Sequence, residues 1–409
     1  MSSPFILDQK IDGSLGFDVG ETAGLLRRYQ SVHRGLMRAT AGWMIATPRY
    51  EDKYALTYHL WDHAQHAMIL RQRLQELRGG HPDANIEPAL VRTLEGIAHA
   101  SNPREFVAGA YLELGGRLLD AYRWHQRSAD PAANAPEIQL CKRIIPNLEA
   151  HLGWASGFLS EQGVPQWIPW RKYVADLLDR VGGARRVEAH SEESKPSLPH
   201  PSRFERPRTV VVDERLKRGG LLSLAERRKL PYAEERIEQF KVYFNEIYAA
   251  SMLASILYDA GNSELPFEFL YDVAHQCWDE MRHSQFGAAR LRELGQAPQH
   301  FDPIIYEQTE SLPILHRFCH LTLTLEVYFM ARKRPRVIQY EEHGDARSKL
   351  FADIDWSDEI NHVGYGKKWI DYFLKDDCRE PDDLKNEIAE HLARVQAGCD
   401  LPSGIEPPF

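Results

Sequence analysis

The 409-residue sequence is poor in several features that define whole protein classes. Its five cysteines (Cys141, Cys277, Cys319, Cys378 and Cys399) are odd in number and widely spaced, and none falls in a Cys-x-x-Cys. That pattern points to reduced thiols in a cytoplasmic protein. No run approaches the roughly 18 apolar residues that span a bilayer. The opening segment, MSSPFILDQKIDGS, lacks the basic-then-apolar order of a secretory signal. Basic residues are not in excess, with 50 against 59 acidic ones, so a nucleic-acid groove with its clustered basic face is not expected. No glycine-rich loop of the flavin- or nicotinamide-binding type is present. Alternating strand patterns are nearly absent as well, which leaves an all-α chain.

What is present is helical periodicity in an ordinary globular composition, 43% apolar and 27% charged. In the back half, apolar positions from Ile237 to Leu257 predict a helix over about 232–260, stopped by Gly261. Ser263 and Pro266 suit the start of a second helix, which runs to about 294 before Gly295. A third is expected over about 315–333, closed by Pro335, a fourth over about 345–375, and a short fifth over about 383–396. Four long helices and a short one suit a four-helix bundle.

The front half repeats the plan. Trp61-Asp62-His63-Ala64-Gln65-His66, followed by Arg73-Leu74-Gln75-Glu76-Leu77, aligns with Trp278-Asp279-Glu280-Met281-Arg282-His283, followed by Arg290-Leu291-Arg292-Glu293-Leu294. Tyr111-Leu112-Glu113 aligns with Thr324-Leu325-Glu326, and the stretch around Glu149 and His151 with that around Asn361 and His362. This is the mark of an internal duplication, too long in period for a solenoid. The expected domains are therefore a helical bundle at 1–181, a Pro/Ser/Arg-rich linker at 182–230 and a second bundle at 231–409. Acidic residues mixed among the linker arginines favour a solvated connector over a site for an anionic partner.

Two stretches carry the chemistry. Asp279-Glu280-Met281-Arg282-His283 and Asp358-Glu359-Ile360-Asn361-His362 both read Asp-Glu-x-x-His. Glu246 lies 34 positions before Glu280, and Glu326 lies 33 before Glu359. Residues three apart on a helix share a face, so Glu280 with His283, and Glu359 with His362, can each reach one metal ion. A glutamate from each of two helices, with Glu-x-x-His from the other two, is the full ligand set of a dinuclear carboxylate site. Four ionised glutamates match two divalent cations, without which an apolar core would not hold them. Asp279 and Asp358 stand four before their histidines and fit a supporting role, accepting the outer imidazole N–H of a ligand, across the bundle if need be. Both motifs sit among aromatic residues (Phe269, Trp278, Phe286; Phe351, Trp356, Tyr365), which argues against surface caps and salt bridges. Tyr243 and Tyr365 stand three residues from ligands and are read as core packing before any redox role.

At this point the chain resembles a known superfamily. Glu246, Glu280-x-x-His283, Glu326 and Glu359-x-x-His362 look like the metal ligands of ferritin-like di-iron carboxylate proteins. Asp279-Glu280-Met281-Arg282-His283 is especially similar to the Asp-Glu-x-Arg-His of bacterial multicomponent monooxygenases. Asn361 departs from that pattern in the second copy. The resemblance, over about 232–375, implies two tandem ferritin-like four-helix bundles, the second carrying two iron ions (Fe/Fe, with Mn/Fe left open). It implies an O2-dependent oxidoreductase, monooxygenase-like, that hydroxylates, epoxidises, desaturates or N-oxygenates a small organic substrate. Glu246, Glu280, Glu326 and Glu359 would serve catalysis as well as binding. Expected partners are O2, the substrate and an external reductase, with no nucleic acid or membrane, and a homodimer is left open. The alternatives are an iron-handling ferroxidase and a non-catalytic di-metal-binding protein, though a fused two-bundle chain is badly shaped for a storage shell. In the front half His63 stands where Glu280 does, Leu148 where Glu359 does and His33 roughly where Glu246 does, and only His66, Glu113 and His151 are kept in kind. His59, His63 and His66 follow i, i+4, i+7 spacing, but a degenerate structural bundle is the expectation. It resembles the non-catalytic partner subunit of the phenylacetyl-CoA epoxidase system.

Overall fold

The computed structural model describes residues 16–78, 80–84, 86–160, 165–185, 202–261 and 265–397. Ser263, Cys399 and residues 186–201 of the expected linker lie outside the described residues. The fold is all-α apart from a single two-residue parallel pairing. The chain divides into two compact units: Met1–Trp43 with His59–Glu205, called the front unit, and Met44–Tyr58 with Arg206–Phe409, the back unit.

The front unit is built from α1 (Val19–Ala46), α2 (Tyr50–Glu76), α3 (Pro88–Ile97), α4 (Pro103–Val107), α5 (Gly116–Ser128), α6 (Ala135–Ser160) and α7 (Ile168–Arg180). A π-helical segment, Ala108–Gly115, joins α4 to α5. Asn102 starts that run by accepting hydrogen bonds from the backbone N–H groups of Arg104 and Glu105, two of the donors that a helix start leaves unpaired. Tyr29, Phe106, Leu118, Tyr122 and Ile144 bring four helical runs into one core.

The back unit opens with β1 (Lys217–Arg218) and α8 (Leu224–Arg227). Next come α9 (Tyr232–Asn245), α10 (Ile247–Ala260), α11 (Phe267–Glu293), β2 (His300–Phe301) and α12 (Ile304–Glu307). The rest is α13 (Ile314–Cys319), a second π-helical segment (His320–Leu325), α14 (Glu326–Glu342), α15 (Ala346–Leu374) and α16 (Pro381–Gln396). α11 packs against α9, α10 and α15, and α14 runs along α15. Phe240, Tyr243, Phe244, Phe269 and Phe318 fill the core between them. Each such buried aromatic contributes on the order of 2–3 kcal/mol. Gly287 lets α9 and α11 approach: a Cβ there would lie 2.1 Å from the Phe244 backbone nitrogen. On α15, a Cβ on Gly366 would lie 2.5 Å from Thr322 Oγ1 in the second π segment. Each of these glycines follows a motif histidine by four residues, one turn beyond His283 or His362 on the same face.

Three sequence expectations need correction. The helix expected over 232–260 breaks at Glu246, which has ψ −11° and forms the junction of α9 and α10. Pro335 does not close the third helix, because α14 continues to Glu342. Its packing along α15 outweighs the cost of about 3 kcal/mol of an interior proline. The described end of the expected linker is not a solvated connector. Arg206 is largely buried against Asp259 at 2.6 Å and Glu310 at 3.4 Å, β1 pairs with β2, and Arg227 is 7% exposed. No helix among the described residues is long and apolar enough to cross a membrane.

Candidate metal centre

Four helical runs of the back unit each deliver acidic or imidazole groups to one place. α11 brings Glu280 and His283, and α15 brings Asp355, Glu359 and His362. Glu246 comes from the α9–α10 junction, and Glu326 is the first residue after the π segment. Both single glutamates thus sit where regular helix is interrupted, and π-type interruptions recur at functional sites because they re-aim one side chain. Two ligand groups result. Glu280, Glu326, Glu359 and His362 can bring one atom each within 4.8 Å of one another, and so can Glu246, His283 and Asp355. These buried clusters can hold a metal ion.

The inner nitrogens face inward. His283 Nδ1 lies 3.4 Å from Glu246, 3.6 Å from Asp355 and 4.0 Å from Glu280. His362 Nδ1 lies 3.3 Å from Glu326 and 3.6 Å from Glu280. The outer nitrogens are held crosswise: His283 Nε2 is 3.1 Å from Asp358 Oδ2, and His362 Nε2 is 3.2 Å from Asp279 Oδ2. Each Asp-Glu-x-x-His helix therefore orients the histidine of the other. Arg282 joins the two carboxylates, in contact with Asp279 and 3.4 Å from Asp358, while its guanidinium lies over the Trp278 ring.

Three groups at the site belong to no motif. Asp355 is completely buried and accepts hydrogen bonds from Lys333 Nζ at 2.8 and 2.9 Å and from Tyr243 OH at 2.9 Å. Lys333 Nζ also lies 3.1 Å from Glu359. Gln276 donates to Glu326 Oε1 at 2.6 Å. Each follows or precedes a ligand at helical spacing: Asp355 is four before Glu359, Gln276 four before Glu280 and Lys333 seven after Glu326. That spacing was the available signal. The added charges cancel, since Asp355 and Lys333 form an ion pair, and the four glutamates again leave four formal negative charges.

Burial pushes Glu246, Glu280 and Glu326 above the usual carboxylate range, and on Glu280 the neighbouring Glu359 pushes the same way. Burial opposes charge on the histidines too. Asp358 and Glu246 overcome it at His283, and Glu326 and Asp279 overcome it at His362, so both are held well above the ordinary value. The cluster is short of positive charge, which protons or metal cations can supply. Hydrogen bonding gives the same result. His283 Nδ1, His362 Nδ1 and one Oε2 each of Glu246, Glu326 and Glu359 are buried with no hydrogen-bond partner. With Nε2 donating to an aspartate, Nδ1 of a neutral ring presents a lone pair. With both rings neutral these are five convergent acceptors with no donor among them, an arrangement that fits a cation in place of the two protons.

A cavity of about 220 Å³ adjoins the cluster, with Glu246, Glu280, Glu326 and Glu359 in its wall. Phe329 lines this cavity and is 40% exposed. Phe244 is buried, and the Phe286 ring lies 5.7 Å from that of His283. Tyr365 reaches His275 at 2.8 Å, so of the two tyrosines only Tyr243 bonds to a cluster residue.

In the front unit the inner ring differs. His33, His63 and His66 come within 4.8 Å of one another, but His33 Nδ1 and His63 Nδ1 are hydrogen-bonded at 3.0 Å, and His33 Nε2 meets Tyr122 OH at 3.0 Å. His59 is not part of the group and bonds to Tyr111 OH at 3.1 Å. Glu113 lies inside the first π segment but turns to Arg117 at 2.8 Å and Arg171 at 3.0 Å.

Residues 171–401, more than half of the chain, match the family described as "Protein of unknown function (DUF455)", and the chain belongs to that family. The matched span contains every member of both back-unit clusters. No curated protein and no solved structure matches the chain.

Proposed function

We propose that the protein is an O2-dependent di-iron oxidoreductase, monooxygenase-like, that oxidises a small organic substrate in its back unit. The observation that carries this reading is the set of five buried, unpartnered acceptor atoms on Glu246, His283, Glu326, Glu359 and His362. Two cations held by Glu246, Glu280, His283, Glu326, Glu359 and His362 would satisfy them, with the aspartates fixing both imidazoles. Iron in those positions would supply the electrons that reduce O2 and the oxidising power to attack an organic substrate. The chain's own residues do the rest. Asp279 and Asp358 fix the imidazole tautomers, Arg282 reaches both aspartates and holds them in place, and Lys333 offsets Asp355. The Tyr243 hydroxyl donates its proton to Asp355 and so restricts how that carboxylate can rotate. The adjoining cavity gives a small substrate a place next to the cluster.

The reading includes a duplicated ferritin-like pair of bundles. It is supported by a π segment at the matching place in each unit and by matching crosswise pairs. Asp62 with His151 at 2.8 Å and Asn147 with His66 at 3.2 Å parallel Asp279 with His362 and Asp358 with His283. The absence of a nucleotide-binding glycine loop favours an external reductase.

The test is to load the reduced protein with Fe(II), expose it to O2 and screen small metabolites for oxidation. Consumption of O2 coupled to an organic product is expected. Deposition of ferric oxide with no organic product would replace this reading with iron handling.

A further inference from the structure

The cavity beside the cluster has lining groups of two opposite kinds. Four glutamates make up the acidic kind, and the basic kind is Arg227 from α8 with Arg332 and Arg336 from α14, six and ten residues beyond Glu326 on that helix. Among the described residues no carboxylate lies within ion-pair distance of any of the three arginines, whereas Arg206, Arg236, Arg282, Arg290 and Arg317 of the back unit each have one. Arg227 is 7% exposed; one of its Nη atoms donates to Gln239 at 3.1 Å, while its Nε is buried with no partner. Arg332 stacks over the Tyr328 ring at 4.2 Å, and its Nη1 is buried and unpartnered. Arg336 lies 6.0 Å from the centre of the Tyr243 ring. The acidic residues that act on Arg227 are already engaged, Glu238 with Lys241 at 2.5 Å and Glu235 with Gln339 at 3.3 Å. Lys333 lines the same cavity but is paired with Asp355 and Glu359. Burial, and after it the charge of Arg336, pull Arg227 below the usual arginine value, while Tyr243, Tyr340 and Asp355 hold Arg336 above it against burial.

We propose that this cavity binds a small organic anion, its carboxylate or phosphate head held by Arg227, Arg332 and Arg336 and its apolar body reaching toward the glutamate–histidine cluster. Arginine forks suit either oxyanion. The body would run past Leu321, Leu325 and Ile305, while Phe329 and Ile304, 40% and 47% exposed, mark the side facing solvent. The two kinds of lining group orient the guest, because a negative head is attracted to the arginines and repelled by the glutamates. A cavity of about 150 Å³ holds benzene, so the 220 Å³ here encloses on the order of nine non-hydrogen atoms, and the side marked by Phe329 and Ile304 lets a longer guest extend into solvent. That the anion is the substrate rests on the oxidase reading, but binding of the anion does not.

Calorimetric titration of the full-length protein, as isolated and after chelation, with octanoate, octyl phosphate and 1-octanol tests the proposal. One or both anions should bind at least tenfold more tightly than octanol, the value of a charge-assisted hydrogen bond. The tighter of the two identifies the head group. Arg227→Gln and Arg336→Gln should each cut anion affinity about tenfold and leave octanol unchanged, and Arg336→Lys should retain part of the affinity. Melting curves report whether each variant folds; should Arg227→Gln not fold, the more exposed Arg332→Gln carries the comparison. Equal binding of octanol and both anions would overturn the proposal. So would anion binding that is lost on chelation yet indifferent to the arginine substitutions, since the anion would then be a ligand of the cluster. Anion binding without O2 consumption would leave the pocket standing and remove the oxidase reading, and the reverse result would do the opposite.

Discussion

The front and back units hold their histidines in the same way and surround them differently. In both, an outer imidazole nitrogen is tied crosswise to an Asp or Asn on another helix, through Asp62 and Asn147 in front and Asp279 and Asp358 behind. In the back unit the inner nitrogens face carboxylates, with an ion-paired lysine alongside. In the front unit they face other imidazoles, Leu148 stands at the position of a ligand, and Glu113 has turned to two arginines. The same crosswise support can therefore hold inner rings of different chemistry. What the inner ring needs, cations or neutral imidazoles, is set by residue types at three or four positions.

The comparison breaks most visibly on metal content. Glu280→Ala or His362→Ala should take the protein from about two firmly bound metal ions to none, while His66→Ala leaves the content unchanged. Elemental analysis of the folded variants decides it, and about four ions per wild-type chain would show the front ring to be a second metal site.

Acid should separate the units next. Burial, reinforced by neighbouring histidines, holds His33, His59 and His63 well below the ordinary value. Burial also lowers His66 to about 3 and His125 to about 4, against weaker opposition from Asp62 and Glu137. The folded front unit thus binds fewer protons than its unfolded chain below about pH 6.5, so its stability falls as pH falls. Each histidine contributes up to about 1.4 kcal/mol per pH unit until its folded value is reached. Hydrogen exchange, corrected for intrinsic rates, should show α1, α2, α5 and α6 losing protection between pH 6.5 and 5. Unchanged protection there would mean that these rings are already protonated in the fold.

Smaller effects sharpen the parallel between the crosswise pairs. Asp279→Asn should lower metal affinity roughly 10–100-fold, while Asp62→Asn should leave it untouched, as read by competition with a chromophoric chelator. Equal affinity in Asp279→Asn and wild type would mean that the aspartate does not orient His362. The least effect is expected at Glu113→Gln. Its two salt bridges are near the surface and worth about 0–1 kcal/mol together, so the melting temperature should move by a few degrees at most. A large drop would give Glu113 a role inside the front core.

Much of this was legible in the chain, and the parts that were not have identifiable causes. Helix type, the ends at Gly261 and Gly295, and the six motif residues are local or periodic features, and a period can be read without knowing what it faces. The π segment before Glu326 and the break at Glu246 were not legible, because each lies where its run packs on another helix, α15 for the π segment and α11 for the α9–α10 junction. Asp355, Lys333 and Gln276 were missed because each is a single residue at helical spacing from a ligand, a pattern shared by many exposed residues. Arg206 and Arg227 read as solvated linker arginines for the same reason, since their burial depends on partners in distant parts of the sequence such as Asp259 and Gln239.

By itself the sequence determined the helical character of the chain and the residue types that recur at helical spacing, both of which follow from spacing along one chain. Only the tertiary structure decided which aspartate serves which histidine, that Lys333 offsets Asp355, and that three unpaired arginines share a cavity with four glutamates. Those are relations between helices, set by the few ångströms at which a hydrogen bond or an ion pair forms, and spacing within one helix carries no record of the distance to another.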